Sequence, residues 1–212
     1  MFPGPTDLNG DKMIHGTQEI FPVGVYVSVV DDATVQRIEN QIGPHMDSIR
    51  QEISTYTWDA GIDTNFFEDP ETRKRLRNTI IERELTEMQN MISHHLNLYA
   101  DTKVCDLQDS WFNFSNHKSY QERHIHGEYP VSGVYYLQAR GDGADGALVF
   151  HNPSRLVGYL NSGGGPLCSK EFKPSKGMIT LFPGWLEHNV TVNKTHDERI
   201  SLAFNLTPIY ED

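Results

Sequence analysis

Cysteine is almost absent from this sequence: 212 residues hold two, Cys105 and Cys168, far apart and without CxxC spacing. A disulfide framework is not implied, a single bridge stays open, and a reducing compartment is expected. Positive charge is also scarce, with 18 Lys and Arg against 29 Asp and Glu and a formal net charge of -11. A non-specific nucleic-acid binder needs the opposite balance to neutralise phosphates, so nucleic acid is not an expected partner. No apolar run approaches the roughly 18 residues of a membrane span. The opening MFPGPTDLNGDK lacks a basic segment followed by an apolar one, so no signal peptide is expected. Internal repeats and low-complexity tracts are missing as well. The expectation is a soluble, cytoplasmic protein.

What is present suits one sizeable domain, with 37% hydrophobic residues. Two halves differ in texture. Residues 1–103 read as a strand plus helical support. Phe21 to Val30 is rich in β-branched residues and predicts a strand. Asp31 and Asp32 offer N-cap chemistry, and Val35, Ile38, Ile42, Met46 and Ile49 follow at helical spacing. Gly43-Pro44 is the expected break or kink. Residues 54–69 lack a period and read as a loop. A second helix is signalled from Pro70, with Leu76, Ile80, Ile81, Leu85, Met88, Met91, Ile92 and Leu96 in one apolar stripe. Its length, close to 30 residues, makes a homodimer a reasonable expectation. From 104 to 212 the chain breaks into short β-type runs separated by Gly, Pro, Asn and Asp. That pattern predicts a sandwich, jelly roll or barrel, hence an α+β fold with helices against one face of a double sheet.

One stretch carries chemistry: RHIHGEYPVSGVYYL, Arg123 to Leu137. In a strand, residues i and i+2 share a face with Cα atoms roughly 6–7 Å apart. His124 and His126 therefore converge just before Gly127. His188 ends a later strand, 62 residues after His126. Two ligands from one strand end and one from a distant strand make a facial metal site with open positions. Arg199 follows 11 residues after His188, and alternation puts Ser201 on its face. Arg199 is a fixed fork for a carboxylate, and Ser201 adds a hydroxyl.

On these residues the sequence resembles the iron(II)- and 2-oxoglutarate-dependent dioxygenases. More narrowly, HIHGEYPVSGVYYL, LVFHNP, KPSKGMITLFPGWLEHNV and ERISLAFN are similar to a bacterial and phage subfamily. Its members carry His-x-His-Pro, Ser-Gly-Val-Tyr-Tyr, Phe-Pro-x-Trp-x-x-His and Arg-Ile-Ser-x-x-Phe-Asn. The likeness covers about residues 110–207, with four motifs in order at compatible distances. It implies a double-stranded β-helix (jelly-roll) core, with Fe(II) and 2-oxoglutarate as cofactors and dioxygen as co-reactant. It also implies hydroxylation of a C–H bond in a peptide or small-molecule substrate, with succinate and carbon dioxide released. Its bacterial and phage members extend the expected location to the cytoplasm of an infected bacterial cell. By position, His124 falls on the first metal ligand and His188 on the distal histidine. Arg199 and Ser201 fall on the 2-oxoglutarate pair. Tyr136 matches a tyrosine that reaches the same carboxylate in prolyl-hydroxylase relatives. Asn113 sits on the preceding strand, where relatives place a polar side chain near the cosubstrate. A peptidyl residue such as proline is one substrate class; free amino acids, small metabolites and nucleobases are others.

The second ligand of the resemblance is a carboxylate, and here His126 stands in its place. Three readings stay open: a three-histidine site; a shifted register in which His126 and Glu128 pair and His124 is displaced; and a site whose working metal is not iron. Two other classes of function also remain. One is a cupin-like metalloenzyme using zinc or manganese, which has no use for Arg199 beyond structure. The other is a non-catalytic jelly-roll binding module. Taken singly, each residue has a blander reading. A histidine pair on a surface strand is common, and Arg199 alone suits an ion pair with Asp197 or Glu198. Tyr135 and Tyr136 alternate faces, so one belongs to the core and the other to the site. His94, His95, His117 and His196 are expected on the solvated surface. His151 is left open, since it follows a strand at the expected border of the pocket, and Trp111 and Trp185 are expected in the core.

Overall fold

The computed structural model describes residues 15–20, 23–51, 57–58, 62–64, 86–100, 104–127, 129–153 and 168–209. The first described elements are two antiparallel strands, β1 (His15–Ile20) and β2 (Val23–Val29). Asp31 then caps helix α1 (Asp32–Ile42), its carboxylate accepting the Thr34 backbone N–H at 3.0 Å. This satisfies one of the orphan donors at a helix start. At Gly43-Pro44 the helix tightens into a 3-10 turn (Gly43–His45) and resumes as α2 (Met46–Gln51). Proline cannot donate to the preceding turn, which accounts for the break at the expected place. Helix α3 (Thr86–Ala100) carries the apolar stripe of Met91, Ile92 and Leu96. The stretch from Pro70 to Leu85, where that helix is expected to begin, lies outside the described residues.

Among the described residues, eight further strands follow in the core. They are β5 (Val104–Ser115), β6 (Gln121–His124), β7 (Val131–Gln138), β8 (Leu148–His151), β9 (Ser169–Phe172), β10 (Met178–Pro183), β11 (His188–Val190) and β12 (Arg199–Ile209). Two very short strands, β3 (Thr57–Trp58) and β4 (Ile62–Thr64), form a hairpin on the edge of β5. Residues 54–69 read as a loop in sequence, and this hairpin is a correction. Two or three residues are too few to display a period. They are strand by virtue of backbone pairing to β5 (Asp63 opposite Phe114), not of their own pattern.

All pairings are antiparallel. The larger sheet runs β1-β2-β10-β7-β12-β5-β4-β3 and the smaller β6-β11-β8-β9. This is an α+β fold with a double-stranded β-helix core. β1 and β2, from the N-terminal half, belong to the larger sheet.

The central strands of the larger sheet are buried on both faces. One face packs Tyr26, Tyr135, Ile179, Leu181, Leu202 and Phe204 against Val35, Ile38, Ile42, Met91 and Leu96 of the helices. The other sends Val25, Val134, Tyr136, Met178 and Phe182 toward Leu148, Phe150 and Phe172 of the smaller sheet. β7 shows the result in one element: seven of its eight residues are buried. A strand covered on both sides loses hydrophobic alternation, so SGVYYL reads as a continuous run. Tyr135 and Tyr136 do split between the two faces. His95 is a correction. It is buried on α3, with Nδ1 2.8 Å from the Tyr26 hydroxyl, and is no surface histidine. His94, His117 and His196 are exposed as expected.

Candidate metal centre

The open end of the space between the sheets holds the three histidines. β6 ends at His124, and the chain carries on through Ile125 to His126. There the His126 N–H donates to the Gly184 carbonyl at 2.7 Å. That bond ties the segment to the turn between β10 and β11. β11 begins at His188, which lies opposite His124 in the antiparallel pair. Residues directly opposite share a face. One ligand-capable nitrogen from each of His124, His126 and His188 falls within 4.8 Å of the others. Among the described residues, no other group of three His, Cys, Asp or Glu comes together in this way.

Two rings are oriented by the backbone. His124 Nδ1 lies 2.8 Å from the Glu122 carbonyl, and His188 Nδ1 lies 2.8 Å from that of Leu186. A carbonyl only accepts, so in both rings Nδ1 carries the proton and Nε2 the lone pair. That is the tautomer a metal needs. His126 is placed instead by rings. It stacks on His188 at 5.1 Å and 14°, with Trp111 at 5.7 Å and 32°. Burial, then the neighbouring His124, pushes the His126 pKa down to about 4. Burial first, and the other histidines second, hold His188 well below the usual histidine range. His126 and His188 are therefore neutral near pH 7, as ligands must be before a cation binds. Glu128, the alternative ligand, lies outside the described residues.

From the histidines a cleft runs inward between the sheets. The cleft is partly open to solvent, and its empty space with that solvent included is about 490 Å³. Strand register explains its polar floor. Ser201 on β12 pairs with Asn113 on β5 and with Tyr136 on β7, so three polar side chains form one row across three strands. One step deeper, Arg199 pairs with Ser115. Asn113, Tyr136, Arg199 and Ser201 all line the cleft and are all buried.

Arg199 is the unusual member, a cation at 2% exposure. Its Nη1 donates to the Gly146 carbonyl and its Nη2 to Ser115 Oγ, each at 2.9 Å. Its Nε is buried without any partner. Among the described residues it makes no ion pair, so the pairing with Asp197 or Glu198 open to it in sequence does not form. Asp197 binds Arg140 and Glu198 binds Arg50 instead. Burial lowers the Arg199 pKa from its usual value, opposed by Tyr136 and Asp145. Burial also lifts the Tyr136 hydroxyl to about 12, so it remains a donor. A buried guanidinium with an idle N–H is costly unless an anion meets it. The fork suits a carboxylate.

Sequence reasoning missed several contributors. Trp111, read as core, walls the cleft beside His126, and Gln121 lines it too. Alternation along β5 could have found Trp111, two residues before Asn113. Trp185, also read as core, is 48% exposed in the turn before His188. His151 does not line the cleft; it is buried, with Nε2 2.6 Å from Asn189 Oδ1.

Comparison with known proteins bears on this geometry. Residues 109–205 match the model of the family described as "Putative 2OG-Fe(II) oxygenase", a span from mid-β5 to mid-β12 that contains the whole cleft. That span, 97 of the chain's 212 residues, is similar to a 2OG-Fe(II) oxygenase core. Its class is thus a 2-oxoglutarate- and Fe(II)-dependent oxygenase, and those are its cofactors. No curated protein sequence matches the chain. Solved structures share the fold at low identity. An oxidoreductase of the 2OG-Fe(II) oxygenase family from Burkholderia pseudomallei is 14% identical, with a TM-score of 0.54 over 86% of this chain and 84% of that one. HygX from Streptomyces hygroscopicus, solved with nickel and 2-oxoglutarate bound, is 13% identical, with a TM-score of 0.55 over 89% and 84%. A Pseudomonas putida prolyl-4-hydroxylase is 14% identical, with a TM-score of 0.53 over 93% and 94%. Among the described residues no helix is long and apolar enough to cross a membrane.

Proposed function

We propose that this oxygenase is a hydroxylase that binds Fe(II) through His124, His126 and His188 and takes a small-molecule or peptidyl substrate. The observation that carries the reading is the buried guanidinium of Arg199, with an idle Nε, in the same cleft as three clustered imidazoles. A cupin-like zinc or manganese enzyme has no use for such a group beyond structure, and a non-catalytic binding module would release no succinate with any substrate. The donor set fits iron: three imidazole nitrogens, two with the proton fixed on Nδ1 by the backbone. The far end of the cleft fits a dicarboxylic acid. Arg199 offers the fork, and Ser201, Tyr136 and Asn113 offer a hydroxyl, a phenol and an amide in one row.

In this reading the iron and 2-oxoglutarate together supply the oxidising chemistry with dioxygen, and the chain supplies the rest. Arg199 and Ser201 hold the distal carboxylate, which sets the other end of the cosubstrate against the metal. Tyr136 stays protonated at neutral pH and donates to the same carboxylate. Because His126 replaces a carboxylate, the site is one charge more positive than a two-histidine, one-carboxylate set, which favours an anionic cosubstrate. Phe182, Leu148, Val134 and Trp111 form apolar walls that keep water from the reacting centre.

The test is an anaerobic titration of metal-free protein with Fe(II) and then 2-oxoglutarate, following the visible absorbance of the chelate. Wild type and Glu128→Ala should form it, and His126→Ala should not. Loss with Glu128→Ala alone would move the second ligand to Glu128. No 2-oxoglutarate binding by wild type would end the proposal.

A further inference from the structure

The reading above makes Arg199 the carboxylate anchor; it leaves open what holds Arg199. An arginine side chain has several rotatable bonds, and a loose fork binds a carboxylate poorly. Two residues address this from opposite sides. Ser115 lies opposite Arg199 in the β5–β12 register, is 1% exposed, and accepts from Nη2 through Oγ. Gly146 precedes β8 and accepts from Nη1 through its carbonyl.

Gly146 is not replaceable on steric grounds. Its φ is +108°, a region L-residues rarely adopt. A Cβ there would sit 2.8 Å from Arg199 Nη1 and 2.9 Å from the Thr191 carbonyl oxygen. The second neighbour is backbone and cannot swing away. Thr191 is itself tied to the adjoining residue, its N–H donating to the Ala147 carbonyl at 2.9 Å and its hydroxyl accepting from the Ala147 N–H at 2.8 Å. The guanidinium thus lies against a glycine whose missing side chain is the space it occupies. Of five N–H donors on the fork, these two contacts use two. The Nε–H and one N–H on each terminal nitrogen are left to the ligand.

We propose that Ser115 and Gly146 are positioning residues for the cosubstrate: together they clamp the Arg199 guanidinium in the orientation that presents its remaining donors to a carboxylate. This rests on Arg199 being the anchor.

The test uses full-length protein loaded with Fe(II) under anaerobic conditions, with 2-oxoglutarate affinity measured by equilibrium dialysis. The variants are Ser115→Ala, Ser115→Thr, Gly146→Ala and Arg199→Ala, with iron stoichiometry and melting temperature recorded for each. Ser115→Ala should weaken 2-oxoglutarate binding about tenfold, the cost of removing one hydrogen bond to a charged group. Ser115→Thr, which keeps the hydroxyl, should restore most of it. Gly146→Ala should weaken binding by at least as much. Iron stoichiometry should hold at the wild-type value throughout. Should Gly146→Ala fail to fold, the Ser115 pair still decides. The clamp is overturned if Ser115→Ala binds 2-oxoglutarate like wild type while Arg199→Ala does not. It is equally overturned if Ser115→Ala loses iron in step with 2-oxoglutarate, which marks a general structural defect. If Arg199→Ala itself binds normally, the anchor assignment fails and the clamp falls with it.

Discussion

His124 and His188 lie opposite each other across the β6–β11 pair, with ring centroids 4.2 Å apart. They come from strands more than 60 residues apart in sequence, and each ring is turned by a carbonyl two residues before it. Replacing either by Ala removes one ligand and the geometry of the rest. Iron stoichiometry, measured colorimetrically after desalting, should fall from near one to near zero in both variants. Added Fe(II) should raise the melting temperature of wild type and leave both variants unmoved. A variant that still retains iron would exclude that histidine as a ligand.

Arg199→Lys separates shape from charge. The substitution keeps the cation but loses the planar fork and both clamp contacts at Gly146 and Ser115. Affinity for 2-oxoglutarate should fall by about 2–3 kcal/mol, some 30- to 150-fold, with iron binding intact. Isothermal calorimetry on the iron-loaded protein under argon reads it directly. Wild-type affinity in the lysine variant would mean that bidentate recognition is not used.

Acid should destabilise the metal-free protein through the histidine cluster. Burial lowers the His126 pKa from 6.5 to about 4, and His188 moves the same way. Between those values the unfolded chain holds more protons than the folded one, so stability falls as pH drops from about 6.5 to about 4. For His126 alone the loss is on the order of 3 kcal/mol across that window. Denaturant titrations at a series of pH values should show the slope, and His126→Gln should flatten it. A slope unchanged in that variant would remove His126 as its source.

Gly133 sits in mid-β7, where a side chain has no room. A Cβ would lie 2.6 Å from Leu181 Cδ2 and still closer to the Phe204 ring, both fully buried. Gly133→Ala should cost about 1–3 kcal/mol of stability by overpacking. Pairing it with Phe204→Leu should recover part of that cost, because the ring is the nearer obstacle. Melts of the two single variants and the double variant test this; simple additivity would refute the steric account.

Tyr26 and His95 form a buried polar pair between β2 and α3 at 2.8 Å. Tyr26→Phe should cost about 1–2 kcal/mol by removing the hydrogen bond to His95 Nδ1, without changing metal binding. Chemical denaturation with and without Fe(II) checks both halves of that statement.

Local pattern carried much of this protein. The two-residue period of a strand puts Arg199 with Ser201 on a shared face, whatever the rest of the chain does; His126 lies past the end of β6 and is held near His124 by its bond to the remote Gly184 carbonyl. The cap at Asp31, the break at Gly43-Pro44 and the change of texture near residue 104 are likewise local facts, because capping and proline chemistry act within a turn. Other features depend on which distant strands lie side by side. That Asn113, Ser201 and Tyr136 make one row follows from the register of β5, β12 and β7. Ser115 and Gly146 have no motif; they matter only because folding sets them against one guanidinium. His95 looked like a surface residue because a helix shows one covered face only after β2 has packed beneath it. β3 and β4 are strands because β5 offers an open edge. Burial and register are sums over contacts between remote segments, and no window of sequence contains them; only the tertiary structure could decide them.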